Sequence, residues 1–99
     1  MKVKFNKWDC QVRLDKYRNN NRTAIELVED TPPYFETVAI ASLNLPNEPL
    51  AEDEIAIKSY SENEGMLECL VKYKVVSEPL RIVQSGFVNV PICKLLIKQ

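Results

Sequence analysis

Apolar and polar residues alternate through the first third of the chain. Val3 and Phe5 share one parity, and Trp8, Cys10, Val12 and Leu14 share the other. Period-two alternation marks a strand with one buried face, and a change of parity marks a bulge or tight bend, here at Asn6-Lys7. A strand is therefore predicted from about residue 2, interrupted there and continuing to Tyr17, with Phe5 and Trp8 both in the core phase. The stretch "RNNNR" (18–22) predicts a turn, because asparagine tolerates left-handed backbone. Thr23, Ile25 and Leu27 then share a face of "TAIELVE" (23–29), so residues 8–29 read as a hairpin.

Beyond "DTPP" (30–33), which breaks the chain, "YFETVAIASLNL" (34–45) is apolar on both faces and suits a central strand. "PNEPLAED" (46–53) is a proline-punctuated loop. Ile55 and Ile57 give a short strand at 53–60. From Ser61 the period changes to helical. Ser61 with Glu64 three residues on forms a capping box, and Glu62 and Glu64 suit a positive helix N-terminus. Met66, Leu67, Leu70 and Val71 share one face, and Lys72 and Lys74 fill the last turn, so a helix is predicted at about 62–74. Gly65 inside its first turn costs up to ~1 kcal/mol relative to alanine, a cost that a close backbone approach would explain. Two more strands follow, 80–85 and 87–98, joined around Gly86. Pro91 predicts an edge position or a bulge.

These elements predict an α+β fold, with an antiparallel sheet of five or six strands and one α-helix packed on one face. Ninety-nine residues suit a single domain, 1–99. No apolar run approaches the ~20 residues that cross a bilayer, and the N-terminus lacks an apolar leader core. Cys10, Cys69 and Cys93 are odd in number, widely spaced and set among apolar neighbours, which points to core thiols in a reduced, cytoplasmic protein.

Histidine is absent and there are two glycines, Gly65 and Gly86. That removes histidine-based triads and dyads, histidine-ligated zinc, and the glycine loops of nucleotide-binding motifs. An enzyme is therefore not expected, nor a cofactor or metal. Glu64 and Glu68, four apart on one helical face, would need further ligands to hold Mg²⁺, and the capping reading accounts for the local carboxylates better. Cys69 lacks a base to activate it.

Charge is segregated along the chain. Residues 1–22 carry net +5, residues 23–68 net −10, and residues 69–99 net +4. An acidic middle between basic ends can neutralise itself on folding or form opposed surface patches. The acidic set is Glu48, Glu52, Asp53, Glu54, Glu62, Glu64 and Glu68, either a solvated face or a surface that docks on a basic groove of a partner protein. The basic set is Lys4, Lys7, Arg13, Lys16, Arg18 and Arg22, with Phe5, Trp8 and Tyr17 interleaved. It is either an outward strand face or a binder of single-stranded nucleic acid. Tyr34-Phe35, Tyr60 and Tyr73 either line a pocket for a small molecule, such as a nucleotide signal at an oligomer interface, or fill the helix–sheet interface.

Four pieces, "WDCQV" (8–12), "YRNNNRTAIELVE" (17–29), "SLNLPNEPLAEDEIAIKSYSENEGML" (42–67) and "GFVNVPICKL" (86–95), run in order over most of the chain. In these pieces the chain resembles an uncharacterised family of small proteins carried by plasmids, conjugative elements and phages of gut bacteria. The resemblance implies an accessory protein of a mobile element and supplies no catalytic residue. The function expected is a non-enzymatic interaction protein that docks through the acidic surface, as an anti-defence inhibitor or nucleic-acid mimic. A nucleic-acid binder using the basic hairpin and a protein that sequesters a small molecule are the alternatives. No membrane association is expected, and self-association stays open.

Overall fold

The computed structural model describes residues 1–31 and 35–98. At the N-terminus, strand β1 (Lys2–Phe5) returns as β2 (Trp8–Lys16) through a two-residue turn. Of its two central residues only Asn6 takes positive φ (54°), as in a type II′ turn. The parity switch is thus a full chain reversal, not an interruption within one strand. A two-residue turn sets Phe5 directly opposite Trp8, so the two share a face although they lie three apart. Asn21 (φ 59°) supplies the left-handed residue of the second turn, and β3 (Thr23–Glu29) pairs with β2 from Cys10↔Glu29 to Lys16↔Thr23.

The remaining strands are β4 (Thr37–Ile40), β5 (Ser42–Leu43), β6 (Glu54–Ile57), β7 (Arg81–Ser85) and β8 (Val88–Lys94). The α+β class holds, but there are two four-stranded antiparallel sheets, ordered β1-β2-β3-β4 and β5-β6-β8-β7, in place of a single sheet of five or six strands. The expected central strand at 34–45 divides at Ala41; its first residue, Tyr34, lies outside the described residues. The Ala41 N–H donates to Ile25 O at 2.8 Å, and its carbonyl accepts from Lys58 N at 2.8 Å. One extended segment therefore leaves β3 and joins β6, the corner by which two sheets share a strand.

This layout makes two cores. Val3, Phe5, Cys10, Ile25 and Leu27 of the first sheet meet Ile55, Ile57 and Cys93 of the second, together with Met66, Leu70, Val75 and Val76. The far face of the second sheet buries Ala56, Val90 and Ile92 under Leu45 and under Leu50 of the 46–53 loop. Hence β6 is buried on both faces. Strand β8 is interior in the sheet order, contrary to an edge assignment. Yet its pairing to β6 covers only Ile92–Lys94, so from Val88 to Pro91 β7 alone is its paired neighbour. The N–H that proline lacks is lost where the β6 ladder ends.

The helix is shorter than expected. A 3-10 turn at Ser61–Asn63 precedes α1 (Met66–Lys72), and Gly65 is its N-cap at φ +89°. No capping box forms, because Ser61 itself is left-handed (φ 55°) and makes no side-chain cap bond. Ser59 does that work instead, its Oγ accepting the Leu67 N–H at 2.9 Å. Nothing lies within 4 Å of a Cβ built at Gly65, so glycine is required by its backbone angle and not by a close neighbour. The helix ends in a Schellman motif. Val75 N–H bonds Leu70 O at 2.9 Å and Lys74 N–H bonds Val71 O at 3.0 Å, with Lys74 left-handed at φ 59°. Among the described residues no helix is long and apolar enough to cross a membrane.

Candidate functional site

The acidic set divides at strand β6. Glu54 opens it, and Lys58 follows its end roughly 13 Å away at about 3.3 Å per residue. Glu48, Glu52, Asp53 and Glu54 stand at the first end, and Glu62, Glu64 and Glu68 beyond the second. Three of the seven are neutralised. Glu54 forks onto Arg81 at 2.9 and 3.1 Å and also accepts the Ala51 N–H, which together hold its carboxyl below the usual range. Glu62 pairs with Lys58, which lowers the Glu62 carboxyl and raises the Lys58 ammonium. Asp53 lies 3.7 Å from Lys94. Glu52, Glu64 and Glu68 are exposed, and no ion pair engages them among the described residues. Among those residues no three Asp, Glu or Cys side chains converge as a metal site would require.

The basic set is divided as well. Lys4 and Lys7 lie at one end of the β1–β2 hairpin, and Lys16 and Arg18 at the other. Arg13 is paired with Glu26 across β2 and β3. Arg22 is a structural brace, donating to the carbonyls of Leu45 and Glu48 (2.7 Å to Glu48) and so tying the turn to the 46–53 loop. Lys2 pairs with Asp30 at 3.0 Å and lowers its carboxyl. The outward face of the first sheet thus alternates cations with Asp9, Asp15, Glu26 and Asp30. It carries no unbroken basic track of the kind that follows a phosphate backbone.

All three thiols are buried and free. Burial pushes Cys10 and Cys69 up, and Cys93 to about 11, so each is a protonated core group at neutral pH. Cys69 spends its S–H on Lys4 O at 3.4 Å. Of the aromatic residues, Tyr73 packs against the main core, Phe35 is exposed, and Tyr60 lies under the Lys58 ammonium at 5.7 Å; Tyr34 is outside the described residues.

Trp8 departs from its expected core position. It stands at the turn end of the hairpin, 42% exposed, although Phe5 directly opposite is buried in the main core. It lines a groove of about 370 Å³ with Phe5, Asn6, residues 37–40, Lys58, Glu62 and Asn63. A second feature was not singled out from sequence. The β7–β8 hairpin turns at Gly86-Phe87, with Gly86 at φ +62° and Phe87 fully exposed at 106%. Ile82 of the adjoining edge strand and Leu80 just before it are 56% and 54% exposed. The sequence signal was present: Gly-Phe between two alternating strands places an aromatic at a hairpin tip, where no partner is local. On the other face of β7 a cleft of about 270 Å³ is lined by Leu45, Pro46, Glu48 and Val83. Comparison with protein-family models, curated proteins and solved structures finds no match.

Proposed function

We infer that this chain is a non-enzymatic interaction protein that docks on a partner protein through the β7–β8 hairpin. The setting is that of a mobile element, as the resemblance in the sequence implies. The observation that carries the reading is Phe87, fully exposed at the tip of a hairpin whose other strand, β7, is an open edge that also exposes Ile82, with Leu80 exposed just before it. Large exposed apolar groups along one open hairpin mark interaction sites, and an aromatic anchor is a common source of binding energy. β7 also lacks the devices that protect edges: it has no proline and no lysine, and its one charge, Arg81, is held by Glu54.

Charge specifies the partner's chemistry. Glu48 lies close enough to Arg81 to help raise it, so Arg81, Glu54 and Glu48 leave one net negative charge beside the edge. The partner offers an apolar socket for Phe87 and a basic rim for Glu48. The acidic docking expected from sequence is thereby narrowed from seven carboxylates to one group. A non-catalytic role is supported by the buried, protonated thiols and by ion-paired carboxylates held ionised, the reverse of a general acid.

Chemical cross-linking in cells that carry the element, followed by reconstitution with the purified partner, tests this. Direct binding should be lost in Phe87→Ser, weakened in Glu48→Lys and unchanged in Glu68→Lys. Binding that survives Phe87→Ser removes the hairpin from the interface and the reading with it.

A further inference from the structure

The β7–β8 hairpin fixes which backbone groups of β7 are spent. A two-residue turn at Gly86-Phe87 makes Ser85↔Val88 a hydrogen-bonded pair, and bonded and unbonded pairs alternate from there. Val83↔Val90 and Arg81↔Ile92 are therefore bonded pairs, while Gln84↔Asn89 and Ile82↔Pro91 are not. Pro91 agrees with this phase, having no N–H to exchange. So does Ile92, whose carbonyl faces the β7 side and accepts the Leu80 N–H at 2.7 Å. The N–H and C=O of Ile82 and Gln84 consequently point away from β8, and no partner engages them among the described residues.

The other sheet edges are closed or short. Lys4 O on β1 accepts the Cys69 thiol, Ile40 O on β4 accepts from Asn63 Nδ2, and β5 is two residues long. On β7 both donors and acceptors stay open.

We propose that β7 pairs antiparallel with β7 of a second copy of this chain, about a two-fold axis at Val83. The proposal rests on the hairpin being the docking surface, and it names the partner. This register sets Ile82 opposite Gln84 of the second copy and Gln84 opposite its Ile82, so both open residues exchange N–H and C=O bonds. A shift of two residues either way leaves only one such pair within the strand. The same register supplies the apolar socket and the basic rim. Gly86-Phe87 of one copy lies opposite Leu80-Pro79 of the other, so the exposed Phe87 and Leu80 cover each other. Arg81 of one copy lies opposite Ser85 of the other, and Ser85 shares its cleft with Glu48. No like charges stand opposite each other, and a patch that completes itself in this way is what a two-fold interface requires.

Sedimentation of the purified chain should show monomer when dilute and a species of twice its mass as concentration rises. Gln84→Pro removes an outward N–H that β8 does not use, at an edge position that tolerates proline. It should weaken the dimer at least ~10-fold while the urea midpoint of the dilute monomer holds. Ile82→Lys, which sets a charge in the strand pair, should do the same. Val83→Cys should form an inter-chain disulfide on treatment with diamide, since Cα atoms in an unbonded antiparallel pair lie about 4.5 Å apart. Ser85→Cys, which faces Arg81, should not, and the native thiols are buried. A chain that stays monomeric at every concentration overturns the self-pairing. It leaves the hairpin open to another protein, which Phe87→Ser decides in the reconstitution above. A dimer that survives both Gln84→Pro and Ile82→Lys, or that cross-links equally through Val83→Cys and Ser85→Cys, overturns the proposal as well.

Discussion

The Ser42 hydroxyl accepts the Ile25 N–H at 2.9 Å, at the point where the chain passes from one sheet to the other. Ile25 is fully buried, and a β4 neighbour no longer lies opposite it, so a side chain stands in for the missing strand. The Tyr17 hydroxyl bonds the same oxygen at 2.9 Å. Ser42→Ala leaves a buried donor unpaired and should destabilise by about 1–3 kcal/mol in urea unfolding. Tyr17→Phe, which leaves the Ile25 bond in place, should cost less, about 0.5–1.5 kcal/mol.

Helix capping by Ser59, eight residues before its acceptor's partner, separates two serines that sequence cannot rank. Ser59→Ala should cost about 0.5–2 kcal/mol, as other lost caps do. Ser61→Ala should stay within about 0.5 kcal/mol. Equal losses at both positions, by the same denaturant curves, would restore the capping box.

Two left-handed residues bracket the helix and invite opposite substitutions. Gly65→Ala should cost about 1–2 kcal/mol from the backbone angle alone, there being nothing for the methyl to strike. Lys74→Gly should raise stability by up to ~1 kcal/mol, because glycine occupies the Schellman position without the Cβ penalty. Thermal midpoints would read both, and a loss at Lys74→Gly would contradict the assigned geometry.

Acid should act through Glu54, Glu62 and Asp30, whose carboxyls are all held low by ion pairs. A lowered folded-state pKa contributes stability that is present above the unfolded value, 4.5 for glutamate and 3.8 for aspartate, and is lost as pH falls through the folded value. Stability should therefore be flat near neutrality and decline below about pH 4.5. Arg81→Ala should lower the neutral plateau and flatten that decline. Lys58, raised by Glu62, works in the opposite sense: its contribution is complete below 10.5 and fades as pH rises through the higher folded value.

The charge pattern favoured an acidic surface that docks on a basic groove over a nucleic-acid binder, but sequence lists charges without their neighbours. Arg13 and Glu26 are thirteen apart, Glu54 and Arg81 twenty-seven, and each pair is made only when strands align. The same limit explains the sheets. Alternation correctly marked most strands, since side-chain period is local, but it gave β6 one apolar face, from Ile55 and Ile57, and placed two-sided burial at 34–45, whereas it is β6 that is buried on both faces through Ala56. It placed Trp8 in the core because parity identifies a face, not whether each position on it is covered: Phe5 is buried and Trp8 opposite it is not.

By itself the sequence determined the class of fold, most strand positions and the place of the helix, the buried thiols, and the left-handed asparagine at the second turn. These follow from local periodicity and from what each backbone position tolerates. Tertiary structure alone decided that one strand serves two sheets, that Ser59 caps the helix, that Asp53, Glu54, Glu62 and Arg13 are each held in an ion pair, and that Phe87 and Trp8 stand open. Each of those depends on which distant residues meet, and that is settled by packing rather than by the order of residues in the chain.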